Sequence, residues 1–232
     1  AAENYGCQIT TTTISAEQHA LATERVHAAG LAHQVRIEQL DYRQLRGQYD
    51  KLVSIEMIEA VGRQYLDTYL RQCSQLLRPD GVMVLQAIVI RDQLFERHSQ
   101  SVDFIGKYIF PGGFLPSVNS INDSLKRCTD FRICHVEEMS SHYVRTLQEW
   151  RRRFWQNIAE VRRQGFDDRF IRMWDYYFQY CEAAFAERQV NVVQMTLGKP
   201  KYLGPVAATR SQAVTRHATN RNCREERVAG SP

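Results

Sequence analysis

Val82-Met-Val-Leu-Gln-Ala-Ile-Val-Ile90 is the stretch on which the fold turns. It is the most hydrophobic run in the chain, and Pro79-Asp80-Gly81 stands before it as a helix stop. Near-continuous apolar character at strand length predicts a strand buried on both faces of a helix-covered sheet. Upstream, Gln64 to Leu77 reads as a helix, with Tyr65, Tyr69 and Leu76 at apolar positions. Tyr49 to Ile55, Val35 to Leu40 and Cys7 to Ile14 read as strands, each rich in β-branched or aromatic residues. Ser15-Ala-Glu-Gln18 is a capping-box signature that opens a helix to about Ala29, and Gly30 ends it. Strands separated by helices predict parallel pairing in an open α/β sheet. Such sheets bind ligands at the C-terminal ends of their strands, so chemistry is expected just after Ile14, Leu40, Ile55 and Leu85.

Downstream of Ile90 the pattern changes. Ser101 to Phe110 reads as a helix broken by Pro111-Gly-Gly-Phe-Leu-Pro116, and Ile121 to Cys128 as a short helix. Phe131 to Met139 and Val190 to Leu197 read as strands. Val144 to Arg163 and Phe170 to Phe185 read as long helices with aligned apolar faces. The helical stretches at about 93–128 and 144–185 exceed what a minimal α/β sheet needs, and are expected to cover a substrate. Residues 1–200 form the expected domain. Residues 201–232 hold six Lys/Arg and two acids, so this expected disordered tail accounts for the whole net charge of +4. That location argues against nucleic acid as a partner. Six scattered cysteines include no C-x-x-C pair and no zinc-ligand spacing. No apolar run approaches the roughly 20 residues of a membrane span, and no signal peptide is evident at residue 1. A cytoplasmic location is the expectation.

Six strings in register across residues 7–198 carry a family resemblance. They are Ile14-Ser-Ala-Glu-Gln18, Leu40-Asp-Tyr-Arg43, Ser54-Ile-Glu-Met-Ile-Glu-Ala-Val-Gly62, Tyr108-Ile-Phe-Pro-Gly-Gly-Phe-Leu-Pro-Ser117, His142-Tyr-Val-Arg-Thr-Leu147 and Arg169-Phe-Ile-Arg-Met-Trp-Asp-Tyr-Tyr177. Together they resemble the cyclopropane-fatty-acyl-phospholipid synthases and their mycolic-acid relatives. The run from Tyr108 to Ser117 is the most specific. The resemblance implies a class I methyltransferase sheet, Rossmann-like, that uses S-adenosylmethionine. That sheet normally begins with a strand and a G-x-G-x-G-like loop, whose glycines let backbone N–H groups approach the cofactor. No such loop stands in this chain, so the expectation is an N-terminally incomplete domain lacking the first strand.

The resemblance also assigns residues. Thr13, Ile14 and Gln18 would contact the ribose and methionyl parts of the cofactor, and Asp41 and Tyr42 the adenine. Glu59, with the backbone at Ile55, would hold a bicarbonate ion, joined by Tyr177 and Gln86. His142 and Tyr143 would line the acyl region. A strand end with a helix cap, a solvated turn, a helix-start carboxylate and a core tyrosine are the plainer readings of the same residues. Thr11 in place of a frequent glycine and Ala60 in place of a usual histidine depart from the family pattern.

The implied reaction adds the sulfonium methyl to a cis double bond of a phospholipid acyl chain. Bicarbonate then removes a proton and a cyclopropane closes. The lipid would be met by peripheral contact at the inner membrane surface, with Arg151-Arg-Arg153 and Arg162-Arg163 as candidates to face headgroups. A homodimer is allowed. Two other readings stay open: a small-amine N-methyltransferase on the same core, and a degenerate lipid-binding or partner subunit.

Overall fold

The computed structural model describes residues 1–204. In chain order the elements are α1 (Ala2–Tyr5), β1 (Ile9–Thr12), α2 (Ala16–Ala28), β2 (Val35–Glu38), β3 (Tyr49–Ile55), α3 (Leu66–Gln75), β4 (Leu77–Ile90), α4 (Asp92–Ser99), α5 (Phe104–Tyr108), α6 (Val118–Cys128), β5 (Arg132–Glu138), α7 (Ser140–Gln156), α8 (Ile158–Arg163), α9 (Asp168–Ala186) and β6 (Val190–Gly198). The expected tail lies outside the described residues from 205 onward.

The strands form two sheets. β1 and β2 pair in parallel by themselves, Ile9 opposite Val35. The other four run in the order β3-β4-β6-β5. β3 and β4 are parallel, whereas β6 is antiparallel to both of its neighbours. The parallel expectation therefore holds for two pairs and is corrected for β5 and β6. Among the described residues, β1 and β3 each pair on one side only. A cavity of about 690 Å³ lies at the starts of these two strands, lined by Cys7 to Thr10 and Gln48 to Lys51 among others.

Local sequence explains the boundaries. The Ser15 hydroxyl accepts from the Gln18 N–H at 3.2 Å and starts α2. Pro79-Asp80-Gly81 does not end an element. It sits within β4, whose register with β3 slips between Tyr49↔Leu77 and Lys51↔Val82. The extra residues form an exposed bulge, and the carbonyls of Pro79 and Gly81 are met by the N–H groups of Lys201 and Lys199. The helix read over Val144 to Arg163 divides at Asn157 into α7 and α8.

β4 is not buried on both faces. Met83, Leu85, Ala87 and Val89 are 0–3% exposed, but Val82, Val84, Gln86 and Ile88 are only half-buried. The closed face packs under α3 and α6 through Tyr69, Leu70, Ile121 and Leu125. The stretch 118–128, grouped by sequence with the cover, is thus a core layer: its apolar stripe fits against α3. The other face meets α7 and α9 chiefly at its far end, where Ile88, Val190 and Val192 pack on Leu147, Phe178 and Phe185. Val53 and Ile55 on that face remain 66% and 62% exposed.

Candidate active site

β3 ends at Ile55, and the chain then turns sharply. Glu56 adopts φ +52, a left-handed conformation that a side chain disfavours. Its N–H still reaches the Gln86 carbonyl at 2.9 Å, which continues the β3–β4 ladder by one bond. The turn swings Ile58 into the core, 0% exposed, and lays Glu59 over β4. Glu59 Oε1 accepts from the Ile88 N–H at 2.5 Å, while its buried Oε2 has no partner among the described residues. Burial raises the Glu59 pKa to about 7, partly offset by the Ile88 N–H, with the nearby Glu56 charge adding to the rise.

The Phe-Pro-Gly-Gly-Phe run closes over this turn. The Phe114 N–H bonds to the Glu59 carbonyl at 2.9 Å. A Cβ on Gly113 would come within 3.1 Å of the Phe110 carbonyl, a tight approach that glycine avoids, and Gly112 before it holds φ +83, which favours glycine. Phe110 in turn meets Tyr177 edge-on, with ring centroids 6.1 Å apart. Tyr177 also packs on Trp174 at 5.3 Å, and burial raises its pKa. Glu59 and Tyr177 therefore flank the same turn without a hydrogen bond between them.

Gln86 lies beside Glu56. Its Nε2 donates to Glu56 Oε1 at 2.8 Å and to the Tyr143 hydroxyl at 3.3 Å. Its Oε1 accepts from Gln194 Nε2 at 2.8 Å, across the Gln86↔Gln194 register pair of β4 and β6. Sequence reasoning missed Glu56 and Gln194. The signals were a second carboxylate three residues before Glu59 and a glutamine that stands with Asn191 and Thr196 as the polar residues of the Val190 to Leu197 run.

The residues assigned to the cofactor sit at the tips of β1 and β2. The Thr13 hydroxyl donates to Gln18 Oε1 at 2.7 Å, and Ile14 is 79% exposed. The Asp41 carboxylate takes two bonds from the Arg43 guanidinium, at 2.9 and 2.6 Å, which holds its pKa low and occupies the group expected beside adenine. Tyr42 is half-buried edge-on to Tyr69. Ile14 and Ile55 stand largely bare at the tips of β1 and β3, two apolar side chains of the kind that meet a flat heterocycle or a thioether chain. The residues present fit the adenosine end of S-adenosylmethionine. No glycine-rich turn at these tips supplies a phosphate-loop-like cradle among the described residues. The large cavity lies at the opposite strand ends.

Bicarbonate fits less well. Both Nε2 hydrogens of Gln86 are already given to Glu56 and Tyr143, and a free anion would meet the Glu56 carboxylate.

Residues 1–195 match the sequence profile described as mycolic acid cyclopropane synthetase. The chain belongs to that family. The tuberculostearic acid methyltransferase of Mycobacterium tuberculosis is 44% identical over 194 residues, 83% of this chain and 45% of that protein. The cyclopropane-fatty-acyl-phospholipid synthase of Escherichia coli is 36% identical over 202 residues, 85% of this chain and 49% of that protein. A solved mycolic acid cyclopropane synthase, complexed with SAH and CTAB, superposes with a TM-score of 0.78 at 25% identity, covering 86% of this chain and 72% of that one. The cyclopropane synthetase fold here is the class I methyltransferase sheet, interrupted between β1 and β3. The chain spans about half the length of the curated relatives it matches.

The arginines offered for headgroups are paired in this family member. Arg151 bonds Asp175, Arg152 and Arg153 share Glu149, Arg162 meets Asp168 and Arg163 meets Glu160. No helix among the described residues is long and apolar enough to cross a membrane.

Proposed function

We propose that this chain is the catalytic portion of a lipid methyltransferase that transfers the methyl of S-adenosylmethionine to a cis double bond of a phospholipid acyl chain and forms a cyclopropane. The observation that carries this reading is a polar turn, Glu56 to Glu59 with Gln86, walled by aromatic rings rather than by polar groups suited to an amine. Phe110, Trp174, Tyr177 and Tyr143 supply that wall.

When bound, the cofactor supplies an electrophilic methyl on a sulfonium. Ile14, Ile55 and Tyr42 would hold its adenosine end. Phe110, Trp174 and Tyr177 would exclude water and present ring faces to the positive charge that develops on the acyl chain. Glu59, whose pKa stands near 7, would be about half protonated near neutrality and in that form would act as a donor. A dissolved bicarbonate as base is the family's expectation, but the crowded Gln86 argues against it here. Exposed Tyr108, Phe110, Tyr176 and Tyr180 form the edge through which the site would touch a bilayer.

The test joins the chain to the N-terminal part of its Escherichia coli relative and supplies labelled S-adenosylmethionine with either cis-unsaturated phospholipid vesicles or small amines. Label in the acyl chains is expected, and label in the amine alone would overturn the reading. Calorimetry on the 232-residue chain itself should find weak or no binding of S-adenosylhomocysteine. Micromolar binding would show that the strand tips suffice without a glycine loop.

A further inference from the structure

Glu56 holds an unfavourable backbone conformation and is tied to the site at two points. A non-glycine residue at φ +52 costs on the order of 1 kcal/mol and persists where the surroundings fix it. Here the Gln86 carbonyl fixes its N–H and the Gln86 amide fixes its carboxylate, at 2.9 and 2.8 Å. The amide cannot turn away, because its oxygen is engaged by Gln194. The result is a half-buried carboxylate held near both Glu59 and Tyr177.

The two glutamates have different surroundings. Glu59 is buried against the β4 backbone with one oxygen unpartnered, and Glu56 accepts from an amide. Carboxylates placed in unlike environments divide the acid and base roles between them. Negative charge at Glu56 favours the neutral form of Glu59 and disfavours a second anion beside it.

We propose that the Glu56 carboxylate is the resident base of this site, standing where the family resemblance puts bicarbonate. It would take a proton from the methyl group newly bonded to the acyl chain. The electrons of the broken C–H bond form the closing C–C bond, the positive charge on the chain is discharged, and the proton moves to a Glu56 oxygen and then to solvent. The proposal rests on the lipid-methylation reading, but its deciding measurements do not require activity.

The first measurement is titration of the chain with ¹³C-labelled bicarbonate, followed by NMR. No saturable binding is expected. Glu56→Gly removes the carboxylate, relieves the left-handed strain and frees one hydrogen of the Gln86 amide, so it should acquire saturable binding. Bicarbonate binding to the unaltered chain that Glu59→Gln abolishes would overturn the proposal. The second is the titration of Glu59 followed by carboxyl ¹³C shifts. Glu56→Gln should lower the Glu59 midpoint, and an unchanged midpoint would overturn the placement of the Glu56 charge. In the extended, active form, turnover should be unaffected by removing bicarbonate and should fall by about 100-fold or more in Glu56→Gln. A form with no lipid activity at all would sink the functional reading, while the bicarbonate and Glu59 titrations would still decide the assignment of Glu56.

Discussion

The two faces of the four-stranded sheet have the same strands behind them and different work to do. On the closed face, Met83, Leu85, Ala87, Val193, Met195 and Leu197 fit against α3 and α6 and are almost wholly buried. On the open face, the same strands present Val84, Gln86 and Gln194, half-covered, and Val53 and Ile55 largely bare. Alternation along a strand lets one face supply stability while the other keeps polar groups and strain. The closed face contains one notable polar pair, the Tyr69 hydroxyl donating to Ser54 Oγ at 2.6 Å, and it is satisfied. Beyond the end of β3, Glu59 Oε2 is left without a partner among the described residues.

Substitutions can test that contrast, and the largest effect belongs to the closed face. Leu85→Ala should cost about 3 kcal/mol in denaturant unfolding, because the well-packed core beneath it cannot collapse into the space. Its neighbour Val84→Ala, on the open face, should cost under about 1 kcal/mol. Comparable losses would mean that the open face is covered in solution. Next comes Glu59→Gln. The raised pKa means that the folded wild type loses stability as pH climbs from the ordinary carboxylate value of 4.5 to about 7. The amide has no such loss and can still accept from Ile88. The variant should therefore match the wild type in acid and exceed it by roughly 2 kcal/mol above neutrality, read from unfolding at several pH values. A pH-independent difference would contradict the burial of this carboxyl. The smallest effect is Tyr69→Phe, which should cost about 1 kcal/mol by leaving Ser54 without its donor. No change would mean that the closed face needs no polar satisfaction there.

Strand identity was legible where local signals agreed. Tyr49 to Ile55 was read with its observed ends, since Gly47 and the β-branched run mark it. Val190 to Leu197 was read to within one residue. The pairing direction of β6 was not, because its antiparallel return across β4 depends on where α7 and α9 place the chain. Periodicity also could not say which face α6 would cover: its Ile121 and Leu125 stripe suits a core layer as well as a lid. At the site, Glu59 and Tyr177 came from matched strings, but Glu56 stayed hidden. A glutamate ahead of a helix start reads as an ordinary N-terminal acid, and nothing in its residue type announces a positive φ. Gln194 stayed hidden because it is one of three polar residues in its strand, with Asn191 and Thr196, and gains its meaning only from the opposing Gln86.

The separation of β1 and β2 from the other strands has a consequence for how the molecule comes apart. Two short strands make few ladder bonds, and α2, which crosses them, has no buried residue. Residues 9–38 thus form the least anchored part of the α/β unit. In hydrogen exchange their amides should open at low free energy, well before those of β4 and β6, so that this segment behaves as a separate cooperative block hinged on the linker to β3.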